Sequence, residues 1–300
     1  MAVITTYDDG NRLEDVMMVV TVITPTKTPF MSSIRKAHAS NSTHQWPEDT
    51  LTVRSDNAVV EGGAFAYGTI TAPIRSSNLT QIFQKTFQVS STERWVKGAG
   101  VTDQYLYQKA KKTKEIATDI ETALLLGTLN AGSIAAARRL AGAIAFSTTN
   151  STTVSSGVLL TETLFNGQMQ LNWVSGGEPD EVYVNALLKR AIDGFNSTAK
   201  PMFTDATDKG LVAQINTYDG SFGKVSIYKS LDIPNGTNSC GLLMIENEKF
   251  AMAIGEPVHE LPEDEVAQTV NGTSGVIRGE LTLEDKSQAA SSYVYGYNNI

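Results

Sequence analysis

The 300 residues, 41% of them hydrophobic, can bury a sizeable core in one large domain or two small ones. A net charge of −8 argues against a dedicated nucleic-acid binder, which carries a basic excess. The single cysteine, Cys240, excludes an internal disulfide, and no apolar run approaches the roughly 18 residues of a membrane-spanning helix.

The chain opens with acids rather than a basic signal region, so a cytoplasmic origin is expected. Residues 1 to about 45 read as an arm. A short amphipathic helix is expected at 12–22, and Pro25 and Pro29 then favour an extended backbone. Residues 46–88 read as a long loop with strand-like stretches. Within it "TQIFQKTFQVS" sets Ile82, Gln84 and Thr86 against Phe83, Lys85 and Phe87, a period of two. A loop of this length inside a compact domain is usually functional.

The strongest helix is expected at 102–126, with Thr102 as N-cap, Asp103 in the first turn and Gly127 as the stop. Leu106, Ala110, Thr113, Ala117, Ile120 and Leu124 form its expected buried seam. Lys109, Lys111, Lys112 and Lys114 come early on it, against the macrodipole. They form a solvated face or meet acids of another molecule.

After "STTNSTTVSSG" a compact α/β unit of about 80 residues is expected. It holds a helix at 161–173, the strand "EVYV", the helix "ALLKRAIDGF", the strand "LVAQINTY", the turn "DGSFG" and the strand "KVSIYKS". From Cys240 the pattern returns to strands. A hairpin is expected within 275–297, with Tyr293, Tyr295 and Tyr297 on one face.

Catalytic signals are absent from the sequence. His38, His44 and His259 sit at no metal-ligand spacing. "DGSFG" lacks the first glycine of a nucleophile elbow, and "GAG" at 98–100 lacks the third glycine of a dinucleotide loop. "EPDE" and "PEDE" read as acidic surface turns. No catalytic residue, cofactor or metal is expected. A carboxylate-based hydrolase would need paired acids, and a β-rich tail or adhesin module would not need the long helix. Trp46, in "NSTHQWPEDTL", has no local core and is expected to anchor in another surface, as aromatic hot spots do. The alternative is packing on its own subunit's sheet.

The series "ITPTKTPFMSSIRKAHASNSTHQWPEDTL", "NAVVEGG", "SSNLTQIFQKTFQVSSTERWVKGAG" and "DIETALLLG" resembles tailed-bacteriophage major capsid proteins. The resemblance covers residues 20–127 and runs on more loosely through "GGEPDEVYVNALLKRAI". Gln45 stands where the family pattern has an acid. The resemblance implies an α+β protein with the Hong Kong 97-type capsid fold. Its parts would be an N-terminal arm (1–48), an extended loop (49–88), a first part of the peripheral domain with the spine helix (89–158), an axial domain (159–239) and a second peripheral part (240–300). It also implies a structural role: pentamers and hexamers closing an icosahedral virion shell around double-stranded DNA, assembled in a bacterial host's cytoplasm. The implied partners are other copies of the chain, a portal protein and DNA held by weak contact only, with no membrane. A separate scaffolding protein is expected, because about 45 residues before the loop are too few for a built-in scaffold. The intersubunit contact candidates are Trp46 and, on the resembling stretches, Asp49, Arg54, Glu61, Asn78 and Gln81.

Overall fold

The structure, a computed structural model, describes residues 27–65, 67–96, 101, 103–155, 157–197, 216–236, 238–262, 266 and 271–298. The expected helix at 12–22, the cap Thr102, the "GAG" turn and the start of the strand "LVAQINTY" lie outside these residues. In chain order the elements are α1 (Pro29–Ser33), β1 (Arg35–His38), β2 (Thr43–Glu48), β3 (Ile74–Leu79), β4 (Gln81–Ser90), α2 (Ser91–Trp95), α3 (Gln104–Leu126), α4 (Ala143–Phe146), β5 (Thr152–Thr153), α5 (Glu162–Val174), β6 (Glu181–Val184) and α6 (Ala186–Asp193). Seven strands follow: β7 (Thr217–Gly220), β8 (Gly223–Lys229), β9 (Asn235–Gly236), β10 (Ser239–Ile245), β11 (Phe250–Glu260), β12 (Gly272–Asp285) and β13 (Ser292–Tyr297). The chain divides into two compact units. The described parts of the first fall in Gln84–Ile116 and His259–Arg278; the second comprises Lys27–Phe83, Ala117–Val258 and Gly279–Ile300.

In the first unit the alternation in β4 buries Phe87 and Val89 and leaves Gln88 exposed. A Cβ at Gly275 would lie 2.4 Å from Phe87 Cζ, so the ring lies directly over a residue that must be glycine. The first half of α3 also belongs here. Asp103 caps it, accepting the amides of Tyr105 at 2.8 Å and Leu106 at 3.4 Å.

The expected α3 seam is corrected at this end. Leu106 is 59% exposed, and Ala110 and Thr113 are exposed with it. The inward side is taken by Tyr105, whose ring lies 5.0 Å from that of Phe87, and by Lys109, which meets Glu260 at 2.5 Å. One residue along a helix turns the face by about 100°. In the second unit the seam runs as expected through Ile120 and Leu124, joined by Ile116 at the end of the first unit's stretch.

The second unit is built on a sheet ordered β5-β13-β10-β6-β8-β7, with β9 on the flank of β10. Strands β10 and β6 pair antiparallel, and β6 and β8 pair parallel. Helices α5 and α6 cover it. Phe165, Met169, Leu188 and Ile192 pack on Val182, Val184, Val225, Leu242 and Met244, with Cys240 buried among them. Side-chain caps start both helices: Thr161 accepts from Leu164 N and Asn185 from Leu188 N. "DGSFG" is the turn of the β7–β8 hairpin, closing at the Gly220–Gly223 pair.

Two further expectations are corrected. Residues 275–297 form no hairpin: β12 lies between β11 and β4 in the sheet ordered β1-β11-β12-β4, whereas β13 pairs with β10 and β5. The short helical turn at Gln288–Ala290 moves the chain from one sheet to the other. The three tyrosines do not share a face. Gly296, at φ +108°, sits at a bulge opposite Cys240 and Gly241. Tyr297 therefore turns into the core with Val294, while Tyr293 and Tyr295 stay together at 6.2 Å.

Candidate intersubunit interface

Strands β2 and β3 form an antiparallel hairpin in register from Thr43↔Leu79 to Glu48↔Ile74. The described residues between them carry no strand or helix, only a turn at 61–62. Leu51 is 98% exposed, Phe65 91% and Tyr67 95%, and Val53, Val59, Val60, Ile70 and Ile74 are exposed too. Gly, Thr and Ser between them give neither a helical nor a strand period that could gather these side chains into a local core.

The root of the hairpin is the opposite of its tip. Trp46 is 4% exposed: its ring lies edge-on to Phe146 at 6.1 Å and beside His44 at 5.7 Å, and its indole N–H donates to Glu48 Oε1 at 2.8 Å. The expectation that Trp46 anchors in another molecule is corrected, since the indole closes the core of its own subunit. Asn78 is also internal. Its amide donates to the carbonyls of Ala141 and Leu283 and accepts from the amides of Ala141 and Leu79, all within 3.0 Å. Gln81 is partly buried and accepts from Leu140 N at 3.2 Å. Asp49, Arg54 and Glu61 remain exposed on the loop. The structure thus separates the six candidates into three that fix the root and three that face outward.

Asn78→Ala would leave four backbone groups without this partner, at about 1–3 kcal/mol for each buried group that stays unpaired. A loss of roughly 3 kcal/mol in urea unfolding of free subunits is expected. An unchanged midpoint would mean that water replaces the amide.

Other residues of the root carried no local signal in the sequence. Arg138 donates to the Thr80 carbonyl and to Glu280, both at 2.5 Å, and Thr80 Oγ1 also reaches Glu280. His44 Nε2 lies 3.4 Å from Glu284, which is also 3.4 Å from Lys286. Next to them Asp285 accepts from Ser287 N through Oδ1, while Oδ2 is buried without a hydrogen-bond partner. Burial, and then the charge of Glu48, pushes its pKa up to about 7. Glu121 holds the start of the described chain, accepting from Phe30 N at 2.8 Å and Met31 N at 2.7 Å. Burial pushes its pKa up against these two bonds. Its place inside the Ile120–Leu125 apolar run was the one available hint of a buried acid.

Among the described residues no three His, Cys, Asp or Glu side chains gather as a metal site, and no helix is long and apolar enough to cross a membrane. The conspicuous feature is a bare apolar loop on a rigid root. The family model described as SU10 major capsid protein matches residues 3–297. The chain belongs to that family. A curated relative, the major capsid protein of Escherichia phage Phieco32, is 34% identical over 122 residues; the match spans 40% of this chain and 35% of that relative. The chain of the cyanophage A-1(L) capsid asymmetric unit superimposes with a TM-score of 0.66 at 14% identity over 98% of both chains. The capsid of the native GTA particle gives 0.67 at 9% identity over 97% of both. The fold of this capsid protein is therefore the Hong Kong 97 type that its sequence resembles, and its family is structural rather than enzymatic.

Proposed function

We propose that this capsid protein forms the pentamers and hexamers of an icosahedral phage head that encloses double-stranded DNA, assembled in the cytoplasm of a bacterial host. The observation that carries the reading is the loop at 51–73, with seven large apolar side chains exposed on a root that buries Trp46 and Asn78. A soluble monomer rarely leaves so many large apolar side chains open on one segment. Covering it with a second copy stabilises by about 1.5–3 kcal/mol for each side chain that becomes fully buried. The proposed parts are the arm at 1–48, the extended loop at 49–88, the peripheral domain at 89–158 and 240–300, and the axial domain at 159–239. The net charge of −8 suits a shell that contains DNA without gripping it. A separate scaffolding protein and a portal protein complete the assembly.

Electron microscopy of expressed protein tests the reading. Wild type should give shells. A variant with Leu51, Phe65 and Tyr67 changed to Ser should stay folded, with wild-type unfolding by urea, and should give none. Fibres from wild type would favour a tail module, and small monodisperse particles would overturn the shell.

A further inference from the structure

Asp285, at the end of β12, is 2% exposed, and its Oδ2 meets no hydrogen-bond donor among the described residues. Only Oδ1 is held, by the Ser287 amide at 3.0 Å. A carboxylate this deep normally has a cation or a full set of donors beside it. The nearby cations are engaged elsewhere: His44 and Lys286 each lie 3.4 Å from Glu284. The charge that acts on Asp285 is a second acid, Glu48, at the end of β2. Glu48 is half-buried, and its Oε1 accepts the Trp46 indole N–H at 2.8 Å. No hydrogen bond joins the two carboxylates, so they do not share a proton.

We infer that Asp285 and Glu48 together bind a hard divalent cation, Ca²⁺ or Mg²⁺, which ties β12 to the base of the β2–β3 hairpin. Oxygens that each lie about 2.0–2.6 Å from one ion are up to about 5 Å apart, so two carboxylates too distant to share a proton can share a cation. A third acid is not needed. Mg²⁺ is held by one or two carboxylates and keeps several waters, and Ca²⁺ completes its shell with carbonyls and waters. Glu48 is open enough to solvent to supply them. The donors are oxygens alone, because the His44 ring is turned to Glu284, and this favours a hard ion over zinc or copper. The ion offsets the buried charge of Asp285 and its repulsion from Glu48 in one step. Burial lifts the pKa of Asp285 to about 7, so proton and cation compete for Oδ2 near neutrality. The site lies within one subunit and stands apart from the shell reading.

Terbium(III), a hard ion that takes the oxygen ligands of calcium, is the probe. Bound at Glu48 it lies beside the Trp46 indole and should emit when tryptophan is excited, in free subunits at pH 8. Asp285→Asn and Glu48→Gln keep the side-chain shapes and should each weaken terbium binding by about tenfold or more. Ca²⁺ or Mg²⁺ should displace the probe. In wild type the urea midpoint at pH 8 should be higher with millimolar Ca²⁺ or Mg²⁺ than with a chelator. Neither variant should show that difference, and in wild type it should shrink at pH 5, where Asp285 holds a proton. Equal terbium emission and affinity in wild type and both variants would mean an adventitious ion only, on a chain of net charge −8, and would overturn the site. So would a wild-type midpoint that neither cation moves, or a shift as large at pH 5 as at pH 8.

Discussion

Subunits carrying Trp46→Ala should unfold before they can assemble. The indole is the largest apolar group at the hairpin root, packed on Phe146 and hydrogen-bonded to Glu48. Removing a buried aromatic ring of this size costs about 3–5 kcal/mol, because the surrounding chain only partly collapses into the space. Domains hold only about 5–15 kcal/mol in total. The expected outcome is a large drop in the urea midpoint of free subunits and insoluble protein on expression. A variant with the wild-type midpoint that fails only in shell formation would return the indole to the role of an intersubunit anchor.

Asp285 should make the free subunit less stable as the pH rises through neutrality. Its folded pKa, about 7, lies above the ordinary 3.8. The fold therefore favours the protonated acid. The associated stability is fully present below about pH 4 and is lost as pH rises through 7, to a total on the order of 4 kcal/mol. The physical source is the buried Oδ2 without a partner and the nearby Glu48. Asp285→Asn keeps a similar shape and removes the charge. Urea unfolding at pH 5 and pH 8 should show wild type losing stability at the higher pH, and the variant losing about 2–3 kcal/mol less. Glu121, Asp180 and Glu181, whose pKa values burial also raises, add to the same trend in both proteins and cancel in the comparison. Equal pH slopes for the two proteins would refute the assignment.

The parts of the fold that were legible in the sequence are those whose cause is local. The period of two marked β4 as a strand, and the helices expected at 161–173 and over "ALLKRAIDGF" stand as α5 and α6. The α3 seam was legible only in its second half. Periodicity finds an apolar row without telling which row faces inward when a tyrosine and an ion-paired lysine can fill the space. The destination of β13 was set by a short helical turn and a bulge at Gly296, neither of which has a period. The hairpin root was hidden for another reason. Asn78 meets Ala141 and Leu283, and Arg138 meets Thr80 and Glu280, partners separated by scores of residues. The open loop, by contrast, was foreseen as a long segment with no core of its own, and the structure leaves it without one.

The contrast between a packed root and a bare tip divides the hairpin between two levels of selection. Folding of one chain constrains Trp46, Asn78 and Thr80, whose partners all lie within the subunit. It places almost no constraint on Leu51, Phe65 or Tyr67, which touch little within their own chain. A mutational survey scored on the abundance of folded protein would tolerate changes at the tip and reject them at the root. The same library scored on intact particles would reject both. On the proposed shell reading the loop can drift only in step with the surface that covers it, so it would be the segment through which two related capsid lineages first lose the ability to co-assemble.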